Sequence, residues 1–160
     1  MITKTAIAIL LSAAFATAGH AAGVERKQPP NAMIAASAKV PPGTTLFWLS
    51  GSTASLADPK DPKSAGNTEA QTFNILSKMK VALAEYGLTM GDIVKLNVYL
   101  VGDPALEGKA DRPGMTASYQ KFFGTADQPN RPTRTTVQVA ALGRAETLVE
   151  IEAVAAKTAP

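Results

Sequence analysis

Apolar positions follow two different periods along this chain, and the switches between them mark out its elements. Ile34 to Val40 reads as a short strand, and Pro41-Pro42-Gly43 as a turn. Thr44 to Ser50, rich in β-branched and aromatic residues, reads as a second strand ending at Gly51. Phe47 and Trp48 belong in the core or against a partner subunit. Residues 52 to 66 contain Asp58-Pro59 and Asp61-Pro62, which predict an exposed polar loop without regular structure. The period then becomes helical. Phe73, Leu76, Met79, Lys80 and Leu83 share a face that Ile75, Ala82 and Tyr86 widen. Asn67 or Thr68 can cap this helix, Thr68 and Gln71 have capping-box spacing, and Gly87 closes it. From Ile93 to Val101 the period is two: Val94, Leu96, Val98 and Leu100 point one way, and Lys95, Asn97 and Tyr99 the other. The loop 102 to 114 leads to a second helix near Met115 to Phe123, with Met115, Tyr119, Phe122 and Phe123 as core candidates. Two alternating runs close the chain, one through Arg131 to Ala140 and one from Leu148 to Val154.

The predicted order is β-β-α-β-α-β-β, an α+β fold whose two helices cover one face of a mainly antiparallel sheet. Val94, Leu96 and Val98, Val137 and Val139, and Val149 and Ile151 suit the face under the helices. Lys95, Asn97 and Tyr99, Arg134, Thr136 and Gln138, and Glu150 and Glu152 then share the opposite face. If the last two strands pair, a register setting Thr136 against Glu152 or Glu150 brings Arg134 near the carboxylates. A guanidinium can hold a carboxylate ligand with two parallel hydrogen bonds, and a nearby glutamate can steer a water or a proton. The bland alternative is a cross-strand ion pair. Leu148 and Val154 make the second face mixed, which favours a subunit interface with clefts over plain solvent.

The 160 residues bound one domain. Lys4, the apolar run Ala6 to Ala18, and the small residues Gly19, Ala21 and Ala22 have the pattern of a secretory signal peptide. The expected division is a signal peptide over 1–22, a flexible lead-in over 23–33 and a folded domain over 34–157, with a periplasmic or secreted product free of the membrane after cleavage. The only histidine, His20, leaves with the peptide, and the chain has no cysteine. A Ser-His-Asp triad, a cysteine nucleophile and a His/Cys zinc site are therefore excluded from the exported part. Losing Lys4 lowers the formal net charge from +3 to +2, and the basic residues are scattered, so no nucleic-acid footprint is evident.

From Ile34 to Ala155 the chain resembles the Rid family, also called the YjgF/YER057c/UK114 family. The resemblance is densest in Pro132-Thr133-Arg134, in Val137 to Leu142, and in Val149-Glu150-Ile151-Glu152-Ala153. Tyr86-Gly87-Leu88, Gly91-Asp92-Ile93-Val94-Lys95, and Tyr119 with Phe122-Phe123 also match. It implies a chorismate-mutase-like fold assembled as a homotrimer, with sites in the clefts between subunits. It also implies cofactor-free, metal-free hydrolysis of reactive enamines and imines to 2-keto acids and ammonia. Arg134 matches the arginine that holds the substrate carboxylate, and Glu150 the glutamate placed near the attacking water. Ser50, Gly51 and Thr136 correspond to the rest of the pocket. Ser37 stands where deaminase-type members have a tyrosine, Thr116 where they have an asparagine, and Thr136 where cysteine is common. Glu152 is expected to be a structural or intersubunit partner. The alternative function on this fold is a non-catalytic trimer that binds a small carboxylate or acts as a chaperone-like protein. Endoribonuclease activity fits poorly with an exported chain lacking histidine and a basic groove.

Overall fold

The computed structural model describes residues 23–158. Its elements are β1 (Glu25–Lys27), β2 (Ser37–Lys39), β3 (Thr44–Thr53), α1 (Thr68–Glu85), β4 (Ile93–Val101), α2 (Arg112–Tyr119), β5 (Thr133–Val139) and β6 (Val149–Thr158). β3, β6, β4 and β5 form one four-stranded sheet in that order. β6 runs antiparallel to both β3 and β4, whereas β5 runs parallel to β4 at the edge. This is the expected α+β class, with two helices packed on a mainly antiparallel sheet. Residues 1–22, read from the sequence as a signal peptide, lie outside the described ones.

The core forms where the helical stripe of α1 meets the inward parity of the strands. Ile75, Leu76, Met79 and Leu83 pack with Leu96, Val98 and Leu100 of β4, and with Ile151, Ala153 and Ala155 of β6. Met115, Tyr119 and Phe123 extend it beneath α2, as their spacing predicts. Each large side chain buried this way contributes about 1.5–3 kcal/mol. Four expected members of the α1 face lie outside the core instead: Phe73 packs on Phe122, Tyr86 is exposed beside Phe47, and Lys80 and Ala82 are exposed.

Several local expectations are corrected. The segment 23–33, read as a flexible lead-in, contains β1, which pairs with β2 in a separate ribbon. Arg26 ties that ribbon to the body by donating to the carbonyls of Gly91 and Ile93. Within the 52–66 loop β3 continues to Thr53, and Pro62–Ala65 forms a short 3₁₀ turn capped by Asp61. Proline at the start of a turn lacks only a donor that would be orphaned anyway, so it initiates structure there. The cap of α1 is Asn67, whose side chain accepts from the Ala70 N–H. Gln71 forms no capping box. It is fully buried, donates to the carbonyls of Gly66 and Glu146, and accepts from the Leu148 N–H. One amide thus satisfies three backbone groups and fixes the entry to β6 against the start of α1.

The largest correction concerns β5. The last two strands do not pair: β4 lies between β5 and β6. Thr136 faces Val98, not Glu150 or Glu152, and Arg134 faces Leu96. Partners in register share a face, so Arg134, Thr136 and Gln138 lie on the helix side and Val137 on the opposite side. The physical reason is the connection. A strand, a crossover helix and a strand make a βαβ unit, whose strands pair in parallel. An edge strand under a two-turn helix leaves its helix-side row half open, a place for polar groups. The opposite face is left uncovered by the described residues and carries Leu46, Trp48 (77 % exposed) and Val137 among its polar residues.

Candidate active site

Two groups of the expected residues are assembled, on opposite faces of the sheet. The first is centred on Arg134. β5 delivers this side chain under α2, where its guanidinium lies over the Tyr119 ring, 4.3 Å from the centroid. Its Nη1 points at Met115 Sδ, 3.7 Å away. Among the described residues Arg134 forms no ion pair. Burial is the main influence lowering its pKa, followed by a raising influence from Tyr119 and a lowering one from Arg112. An arginine stays protonated under such shifts, so the group is a cation with part of its hydration removed and no counter-charge among the described residues.

Tyr119 supplies the floor. Burial pushes its phenol up to about 12, against the pull of Arg134 and Arg131. At neutral pH the ring is therefore uncharged, and Arg134 meets a π face, a contact worth about 0.5–2 kcal/mol. The Tyr119 hydroxyl and the Thr136 Oγ1 are both buried without a hydrogen-bond partner. Thr136 shares the face of Arg134 two residues along β5, and Arg112 Nη2 donates to its carbonyl at 3.4 Å. Thr116 is half-buried on α2 beside Met115. A fixed cation, a neutral aromatic floor and orphaned hydroxyls are groups of the kind that a small anion would engage.

The second group is centred on Glu150. β6 is flanked on both sides, with Glu150 opposite Thr53 of β3 and Tyr99 of β4. The β3–β6 register shifts between Leu49 and Ser52, leaving Ser50 and Gly51 in a bulge. The Glu150 carboxylate fills the space that a Cβ at Gly51 would need. The bulge thus makes room for the acid, which among the described residues is in no ion pair. Glu152, two residues on, is engaged through one oxygen: its Oε1 accepts from Asn97 Nδ2 at 2.7 Å and Tyr99 Oη at 3.1 Å. The hydrogen bond to Glu152 is the main cause raising the Tyr99 pKa. That arrangement suits the structural role expected of Glu152.

The chain does not bring the two groups together. Arg134 and Glu150 lie on opposite faces and on strands separated by β4, about 10 Å apart by strand spacing alone. The register predicted from the sequence is thereby overturned. Ser37 joins neither group; it is exposed on β2. Conversely, sequence reasoning assigned Met115 and Tyr119 only to the core and singled out nothing at Arg112. The missed signal is helical: residues 112, 115, 116 and 119 fall on one stripe of α2. Among the described residues no cluster of three or more His, Cys, Asp or Glu side chains is placed to hold a metal ion.

Comparison with known proteins gives this geometry a context. The family model described as Endoribonuclease L-PSP matches residues 25–157. A RutC family protein of Pyrococcus horikoshii is 32% identical over 103 residues, covering 62% of this chain and 73% of that protein. The 2-iminobutanoate/2-iminopropanoate deaminase of Salmonella typhimurium is 33% identical over 100 residues, covering 62% of this chain and 72% of the relative. Among solved structures, a YjgF/YER057c/UK114 member from Mycobacterium tuberculosis superposes with a TM-score of 0.51 at 28% identity, covering 76% of this chain and 84% of that one. Escherichia coli TdcF with bound serine superposes with a TM-score of 0.56 at 27% identity, covering 71% and 81%. With the family model spanning almost all the described residues, the chain belongs to the Ribonuc_L-PSP family, the group also known as YjgF, RutC or Rid.

Proposed function

We propose that the protein is an exported, cofactor-free hydrolase of reactive 2-imino and 2-enamino acids, releasing a 2-keto acid and ammonia. The observation that carries this reading is Arg134, a half-buried cation on an aromatic floor with no ion-pair partner among the described residues. The Salmonella relative named for deamination of 2-imino acids supports the reaction class. An iminium carbon is already electrophilic, so holding the acid, placing a water and moving a proton is sufficient chemistry. Arg134 holds the carboxylate, the unpartnered Thr136 hydroxyl lies beside it, and Glu150 positions the water.

Since Arg134 and Glu150 lie on opposite faces, a complete site takes them from two copies. The uncovered face bearing Leu46, Trp48 and Val137 is the natural seam, because exposed apolar surface of this kind is stabilised by burial against a partner. A homotrimer closes such a head-to-tail contact into a ring. The competing function, a trimer that only binds small acids, draws on Ser37, whose exposed position contributes nothing to either group within the chain.

The deciding experiment generates imines with an amino-acid oxidase and catalase, and traps the surviving fraction with semicarbazide. Added protein should reduce trappable imine for a subset of amino acids. Unchanged trapping across the panel, with 2-keto acids still bound, would replace the enzyme by the binding protein. A finer expectation concerns Gly51. In Gly51→Ala the new methyl group displaces the Glu150 carboxylate, the flexible end of a side chain, rather than backbone. Turnover should fall about tenfold, the size of a misplaced catalytic group, while thermal unfolding shifts little. Equal kcat in the two proteins would show that the Glu150 position does not matter.

A further inference from the structure

Arg112 has no role in the reaction as described, yet it stands beside the acid-binding group. It opens α2 three residues before Met115 and seven before Tyr119, so helical spacing puts all three on one stripe. That stripe runs along β5. Arg134 meets Met115 and Tyr119, and Arg112 Nη2 meets the carbonyl of Thr136, two residues further along the strand. Two strand residues correspond to about 6.6 Å. Neither guanidinium has an ion-pair partner among the described residues. The adjacent carboxylate, Asp111, is turned away to cap α2, its Oδ1 accepting from the Gly114 N–H at 2.8 Å. Arg112 also lowers the Arg134 pKa, the effect of a like charge close by.

Two like charges held along one strand repel, and an anion with a charge at each end relieves both. Resting on the deaminase reading above, we propose that the preferred substrates carry a second carboxylate. Arg134 takes the 1-carboxylate and Arg112 the side-chain carboxylate, so the substrates are the imines of acidic amino acids. With C–C bonds of about 1.5 Å, a four- or five-carbon diacid spans about 4–5 Å between its carboxyl carbons, within reach of two forks so spaced. The reaction needs no redox partner. Water oxygen bonds to C2, the C2–N bond breaks, both water protons end on nitrogen, and a 2-keto diacid and ammonia leave.

The test measures the ratio of kcat/KM for 2-iminoglutarate to that for 2-iminobutanoate, both made in place by oxidation of the amino acid. The ratio should exceed one in the unaltered protein and fall about 10–100-fold in Arg112→Gln, the scale of a lost charge-assisted contact. Arg112→Lys should restore part of it. A merely structural Arg112 would depress both substrates together and leave the ratio unmoved. An unmoved ratio, or a preference for the monocarboxylic imine, overturns the inference while leaving the deaminase reading intact. If no imine is hydrolysed at all, that reading fails, and binding of 2-oxoglutarate against 2-oxobutanoate by calorimetry decides the inference separately. A preference for the diacid that disappears in Arg112→Gln supports it, and equal affinities overturn it.

Discussion

Replacing Arg134 by alanine is expected to lower kcat/KM for imine hydrolysis by about 10²–10³-fold, the loss of a bidentate, charge-assisted carboxylate contact worth about 3–4 kcal/mol. The effect should appear in the affinity for the product keto acid as well as in turnover, since the group acts on an acid common to both. Folding should survive. Arg134 belongs to an edge strand, is half-buried, and gives up one ring contact and one thioether contact, not a place in the packed core. Circular dichroism with thermal unfolding checks that side. Arg134→Lys separates charge from geometry: a point charge should recover part of the binding but not the paired hydrogen bonds. Activity within threefold of the unaltered protein in Arg134→Ala would remove Arg134 from the site and the proposed function with it.

Glu150→Gln is the complementary case, with binding kept and chemistry lost. The substitution preserves size, so the side chain still fits over Gly51. What disappears is the capacity to accept a proton from the attacking water, a contribution of about 10²–10⁴-fold in general acid–base catalysis. Stopped-flow or trapping measurements of kcat, alongside keto-acid titration, resolve the two. Glu150 sits in a strand flanked on both sides, so a purely structural glutamate would show itself by lowered thermal stability instead. That result would shift the reading to an acid-binding trimer.

The period of each element was legible in the sequence because burial enforces it. Ile75, Leu76, Met79 and Leu83 of the α1 stripe, the alternation of β4 and the inward positions of β6 pack as their spacing demands. Arg134 and Glu150 were legible only as residue types. Alternation in β5 says that Arg134 and Val137 face opposite ways, but not which of them faces the helices. For a central strand hydrophobicity decides that question. For an edge strand under a short helix it does not, and the valines went to the face that a single chain leaves bare. The connection held the missing information. About thirty residues containing a helix separate β4 from β5, a length that specifies a parallel crossover. The proximity of β5 and β6 in sequence suggested a hairpin that the sheet order excludes. Gln71 misled in a smaller way: its spacing from Thr68 fits a cap, but a buried amide with three backbone partners satisfies more groups than a cap would.

On the proposed reading the two faces of the sheet carry different halves of one reaction, and this has a consequence for when the protein would be competent. On the proposed assembly a lone chain can grip an acid on one side and orient water on the other, but never at the same carbon. On that reading such a chain would be chemically silent until it met another copy, so the concentration reached after folding, rather than the folding of any single chain, would set the moment at which chemistry starts.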